Sequence, residues 1–264
     1  MTSRHLATPQ SRNTFKMYWL EAKYELFKSL RLPIFAISSL TFPVLFYLFF
    51  GITFGQGSFG DVSVATYYLA TYGTFGVIGT ALFGFGAGVA SERGQGWMRL
   101  KRASPMPPLS YFVAKLFMAA VFSTLIYLLL LIIGLTLGDV SLSLTQMLGL
   151  WGILVLGTLP FAALGLTIGY AVGPNSAPAV VNLVYLPMAF ASGLWIPIEA
   201  LPKFMQHLAP FLAPYHLAQL ALNAIGAGSN ASNGVHILVL LIYMLVFLIL
   251  AIILYRRDEG KTFG

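Results

Sequence analysis

Cysteine is absent from this chain of 264 residues. That excludes disulfides, thiolate metal sites and cysteine nucleophiles, and identifies no compartment. Charge is nearly as scarce. Asp, Glu, Lys and Arg together supply 9% of the residues, against roughly 25% in a soluble domain. A chain so poor in charge cannot cover a water-facing surface. The sequence contains no G-x-x-x-x-G-K-S/T loop to cradle nucleotide phosphates. Ser192 lies in Ala191-Ser192-Gly193, without the G-x-S-x-G context of a nucleophile elbow. The N-terminal stretch does not read as a secretory signal, because its first apolar run begins near Leu32, after a long charged segment.

Apolar residues dominate, at 58% of the total. The net charge of +7 comes from 15 Lys and Arg, and all but Lys203 fall in three clusters. The first runs from Arg4 to Arg31, the second from Arg93 to Lys115, the third from Arg256 to Lys261. Cytoplasmic loops of membrane proteins carry excess Lys and Arg, so the clusters place both termini and one central loop in the cytoplasm. Membrane orientation and lipid contact account for the charge, and nucleic acid is not an expected partner.

A helical span needs about 20 mostly apolar residues. The uncharged stretches predict an all-α integral membrane protein with six transmembrane helices, at about 33–55, 65–90, 110–137, 147–172, 177–196 and 235–255. Lys115 is expected to snorkel at the cytoplasmic end of the third. Residues 1–12 form an N-terminal tail. Asn13 or Thr14 is expected to cap an in-plane amphipathic helix over 13–31, with Phe15, Tyr18, Trp19, Ala22, Leu26 and Leu30 on one face. Pro197, Pro202, Pro210 and Pro214 interrupt the apolar stretch before the last span, which predicts a re-entrant helical hairpin on the outer side. Small residues recur at steps of four in Gly76, Thr80, Gly84 and Gly88, and again in Gly165, Gly169 and Gly173. They favour close helix packing, within one subunit rather than at a dimer seam.

The central loop carries an acidic-basic pair, two glycines, an exposed Trp and a basic stretch closed by Ser-Pro: Glu92-Arg93, Gly94 and Gly96, Trp97, Arg99-Leu100-Lys101-Arg102, then Ser104-Pro105. After the fifth span come Ser192-Gly193, Pro197, Leu201-Pro202 and Ala213-Pro214. In both places, and over nearly its whole length, the chain resembles the permease subunit of type-2 ATP-binding-cassette (ABC) exporters. Trp97 departs from that pattern, where many members carry a small or hydroxyl residue.

The resemblance implies a coupling helix between spans 2 and 3, with Glu92, Arg93, Gly94, Gly96, Trp97, Arg99, Leu100 and Arg102 contacting an ABC ATPase subunit. Two copies of that ATPase would pair with two permeases, as a homodimer or a heterodimer. This chain would bind no cofactor or metal, while ATP and Mg would sit on the ATPase. Cargo would leave the inner leaflet of the bacterial plasma membrane along the permease interface. Phe42, Phe46, Phe49 and Phe50 of the first span, with Asn182, Tyr185 and Met188 of the fifth, would line that path. The hairpin marked by Ser192, Gly193, Pro197, Pro202 and Pro214 would roof it. The cargo expected is amphipathic: a drug-like molecule, a lipid or a lipid-linked product. Rivals are a polysaccharide exporter of the same architecture, a sensory subunit that moves nothing, and a lipid-acting enzyme using His207, His216 and Glu199. Two His and a carboxylate also suit zinc, but the spacing favours a plain histidine pair.

Overall fold

Residues 64–82 are apolar or small on every side, and all of them are buried. A helix with no polar face belongs at the centre of a bundle. The computed structural model describes residues 14–55, 57–60, 62–103, 107–228 and 232–258. The expected N-terminal tail, the Asn13 cap and Ser104-Pro105 lie outside them.

Helix α1 (Thr14–Leu30) is followed by α2 (Pro33–Phe46). The break falls where Pro33 denies the helix a donor and restricts Leu32 before it. Around the buried Pro43, α2 approaches the central helix closely: a Cβ on Gly76 would meet Pro43 Cγ at 2.7 Å. The helix then widens into a π turn over Tyr47–Thr53. A two-residue hairpin, β1 (Ser58–Phe59) and β2 (Val62–Ser63), leads to the central α3 (Val64–Leu82). After a second π segment at Phe83–Ala87, the same rod continues as α4 (Gly88–Gly94). Gly96, at φ +75°, turns the chain into the short α5 (Trp97–Ala103).

Helix α6 (Pro108–Leu137) packs along α1 and α3. Ser143 and Gln146 form a reciprocal capping box that starts α7 (Leu144–Leu156), three residues before the expected start of that span. At Gly157 the chain passes into α8 (Thr158–Ala171) against the Leu217 side chain. Then come α9 (Ala177–Ala191), α10 (Lys203–Leu208), α11 (Ala213–Ile225) and α12 (Asn233–Asp258). Helix α11 is not a surface decoration. It is mostly buried, against α3, α7 and α12, and ends at Gly226 with φ +86°.

Among the described residues, five helical stretches are long and apolar enough to cross a bilayer: Pro33–Thr53, Val64–Gly94, Leu109–Leu137, Leu144–Ala171 and Asn233–Arg257. The expected fifth span appears as a shorter apolar helix, Ala177–Ala191. The second is longer than expected, so Glu92 and Arg93 end a long helix and do not sit in a loop. The glycine stripes pack inside the chain. A Cβ on Gly165 would lie 2.9 Å from Phe85 Cβ, and one on Gly169 would lie 2.8 Å from the Phe85 carbonyl oxygen.

The buried stripe of α1 differs from the expected apolar face. Ala22, Glu25 and Ser29 turn inward, while Phe15, Trp19, Tyr24 and Phe27 are exposed. Small and ionic groups face the protein, and the aromatic residues face out.

Candidate functional site

A lone lysine in an apolar run must reach water or find carboxylates, because an unpaired buried charge is costly. Lys115 was expected to snorkel, but it is 1% exposed and points into the bundle. Its Nζ donates to Glu25 Oε1 of α1 at 2.8 Å and to Glu92 Oε1 of α4 at 3.0 Å. Lys28 donates to Glu25 Oε2 at 2.6 Å and also to Glu92 Oε1. The Tyr111 hydroxyl donates to Glu92 Oε2 at 2.6 Å. Two carboxylates and two ammonium groups thus balance in one junction that ties α1, α4 and α6 together. Burial alone lowers the pKa of Lys28, but the carboxylates of Glu92 and Glu25 outweigh it and hold the group above its ordinary value.

Arg93 turns the opposite way. Its Nη1 donates to the Gly169 carbonyl and, at 3.4 Å, to that of Val172, with the guanidinium 5.3 Å from the centre of the Tyr170 ring. These carbonyls end α8, so Arg93 places a cation where the helix dipole is negative and acceptors lack partners. Gly94 is needed next to it, since a Cβ there would lie 2.6 Å from Pro174 Cγ. The Glu92-Arg93 pair therefore fastens the end of α4 to α1 and α6 on one side and to α8 on the other.

Beyond the Gly96 turn, α5 presents Leu100, 72% exposed, and Trp97, 45% exposed, while Met98 packs inward beside Tyr111 and Tyr170. The side chains of Arg99 and Arg102 lie outside the described residues. The apolar edge of α5 therefore follows the charged junction directly in the chain, across the Gly96 turn.

The expected path residues separate into two groups. Phe42, Phe49, Phe50 and Asn182 are exposed. Phe46 and Met188 are half-buried, and Phe46 sits among Tyr72, Phe75 and Trp195. Tyr185 points inward. It stacks on Phe75 with ring centres 4.9 Å apart and donates its hydroxyl to the Phe75 carbonyl at 2.7 Å.

In the hairpin, Gly193 adopts φ +76° to turn the chain after α9, where the Ser192 hydroxyl is buried. Pro197 is buried, Pro202 precedes α10 and the buried Pro214 opens α11. His207 is exposed, and the histidine partner of His216 is His236 of α12, at 2.8 Å between Nδ1 atoms. His216 Nε2 donates to the Pro210 carbonyl at 2.8 Å. Its Nδ1 then accepts from His236 Nδ1–H. Sequence reasoning assigned no role to Glu25, Lys28 or Tyr111. A usable signal was the isolation of Lys115 between apolar residues, which demanded carboxylate partners from elsewhere.

With five long apolar helices, this is a multi-pass membrane protein. The chain belongs to the ABC-2 type transporter family, whose model matches residues 18–225. It is similar to the "Putative transport permease YvfS" of Bacillus subtilis (strain 168), with 30% identity over 238 residues that cover 89% of this chain and 96% of the relative. The family makes it a permease subunit of an ABC transporter.

Proposed function

We propose that the chain is the membrane half of an ATP-driven exporter. It moves an amphipathic cargo outward across the bacterial plasma membrane, powered by two copies of a separate ATPase and paired with a second permease. In this reading α9 and the turn after it make the fifth of six spans, and both termini face the cytoplasm. The observation that carries the proposal is the junction. Glu92 and Arg93 point into the bundle, joining α1, α6 and α8, while Trp97 and Leu100, four to eight residues on, remain exposed. A push on α5 would therefore be delivered to three helices at once. Glu92 and Arg93 act as struts in this scheme, with Trp97 and Leu100 as the docking edge. Phe42, Phe49 and Phe50 with Asn182 offer the cargo aromatic surface and a single amide. That supports an amphipathic molecule over a strongly ionic one.

The experiment is co-expression with a candidate phosphate-loop ATPase, co-purification, and ATP-dependent transport in vesicles. Leu100→Asp is expected to lose the ATPase while leaving the permease folded. Transport without any ATPase, or full coupling in Leu100→Asp, would overturn the proposal.

A further inference from the structure

The rod made by α3 and α4 is interrupted once, at Phe83–Ala87, where the backbone runs in the wider π register. Single π turns inside helices are rare and gather at functional sites. On the α3 side every residue is buried, and α2, α6, α8 and α11 grip the rod. On the α4 side the rod packs along α8 and is held by the Glu92 and Arg93 struts.

The hydrogen bonds of this segment offer a second register. The Gly88 N–H donates to the Phe83 carbonyl, five residues back. In an α-helix it would donate to Gly84, four residues back. The Gly84 carbonyl instead receives Lys115 Nζ, at 3.5 Å. The same Nζ holds Glu25 and Glu92. Moving the Gly88 donor from Phe83 to Gly84 would pass the wide turn on toward α4 and free Lys115 from the backbone. Gly88 also has no packing reason to be glycine. Its φ of −62° and ψ of −50° are ordinary helix. A Cβ there would meet the Phe83 oxygen at 3.5 Å and Lys115 Nζ at 3.7 Å, which is normal contact. Gly84 and Gly86 differ, because a Cβ would lie 2.9 Å from Met118 Cε at the first and 2.8 Å from Val181 Cγ2 at the second. Glycine inside a helix is less stable than alanine, so what Gly88 adds is backbone freedom where the donor changes partner.

We propose that residues 83–88 form a joint through which α4 and α5 re-aim against a fixed α3. The joint works by shifting the wide turn along the rod, and Lys115 is the positioning residue that ties its register to the charged junction. The joint itself is independent of any ATPase. Its mechanical use, to let a push on α5 move the junction without dragging α3, rests on the export reading.

The test uses the purified full-length chain, first alone and then with the ATPase that co-purifies with it. In the chain alone, amide hydrogen exchange at residues 84–88 should run about tenfold faster than at residues 77–82 and 89–92. Gly88→Ala should slow that exchange about fivefold, the worth of the glycine-to-alanine difference in a helix, without lowering the melting temperature. A π turn holds one residue more than the α turn it replaces, so deleting Ala87 should close it and abolish the fast exchange. A folding failure of the deletion leaves Gly88→Ala informative. In vesicles, Gly88→Ala should still bind the ATPase and lose about fivefold in ATP-driven transport. Exchange no faster than in the flanking helices, or unchanged exchange in folded Gly88→Ala, would overturn the joint. Slowed exchange with full transport would overturn its mechanical role. If the parent chain shows no ATP-driven transport, the export reading fails and the exchange arm still decides the joint.

Discussion

Replacing Lys115 by methionine keeps the length of the side chain and removes its charge. The buried junction then holds two carboxylates, Glu25 and Glu92, against Lys28 alone. Removing one partner of a buried ionic cluster costs about 3–5 kcal/mol, because the remaining charge stays desolvated. The Lys28 side chain is 30% exposed and touches both acids. It partly compensates, which puts Lys115→Met at the lower end, about 3 kcal/mol. Adding Glu92→Gln leaves one acid facing one base and preserves the acceptor for the Tyr111 hydroxyl. The double variant is therefore expected to be less unstable than the sum of the singles, by about 1–3 kcal/mol. The assay is unfolding of the purified protein by SDS, followed by tryptophan fluorescence. A Lys115→Met protein within about 0.5 kcal/mol of the parent, or strict additivity in the double variant, would refute the reasoning.

Other outcomes follow from single contacts. Gly169→Ala drives a Cβ to 2.8 Å from the Phe85 carbonyl oxygen, so overpacking of about 1–3 kcal/mol should lower its melting temperature. Gly152→Ala, in α7, meets nothing within 4 Å and should be neutral or stabilising in the same melt. Burial holds the His216 imidazole below its usual pKa, partly offset by the Pro210 carbonyl. Its folded state therefore favours the neutral form, and the stability present above about pH 6.5 is lost as pH falls through the depressed value. Hydrogen exchange should show α11 opening in acid, and His216→Phe should remove that dependence. Tyr185→Phe should cost about 1 kcal/mol from one lost hydrogen bond and leave cargo preference unchanged. Asn182→Ala should change cargo preference in vesicle transport and leave the melting temperature alone.

The helical bundle was legible because bilayer thickness fixes how long an uncharged run must be. Each of the five long apolar helices coincides with an expected span to within a few residues. Helix α1 was located correctly, yet its inward stripe is Ala22, Glu25 and Ser29. Periodicity marks the apolar face, and here much of that face turns outward, away from the bundle. The junction was hardly legible. Residues 25, 92 and 115 meet only after three helices pack, and spacing along the chain reports local neighbours alone. Glu92 and Arg93 drew attention as a charged pair beside glycines. The motif gave no sign that both would turn inward, one to α1 and α6 and one to the end of α8. The histidine pair was read half correctly for the same reason. His216 was singled out, but its partner His236 lies on α12, not in the hairpin.

The central claim is that α5 offers its exposed edge to an ATPase in the cytoplasm. Because the chain has no cysteine, Leu100→Cys introduces a unique thiol. A membrane-impermeant thiol reagent should label it in inverted vesicles, fail to label it in intact cells, and be blocked when the ATPase is bound. Labelling in intact cells, or labelling that a bound ATPase does not reduce, would contradict the account.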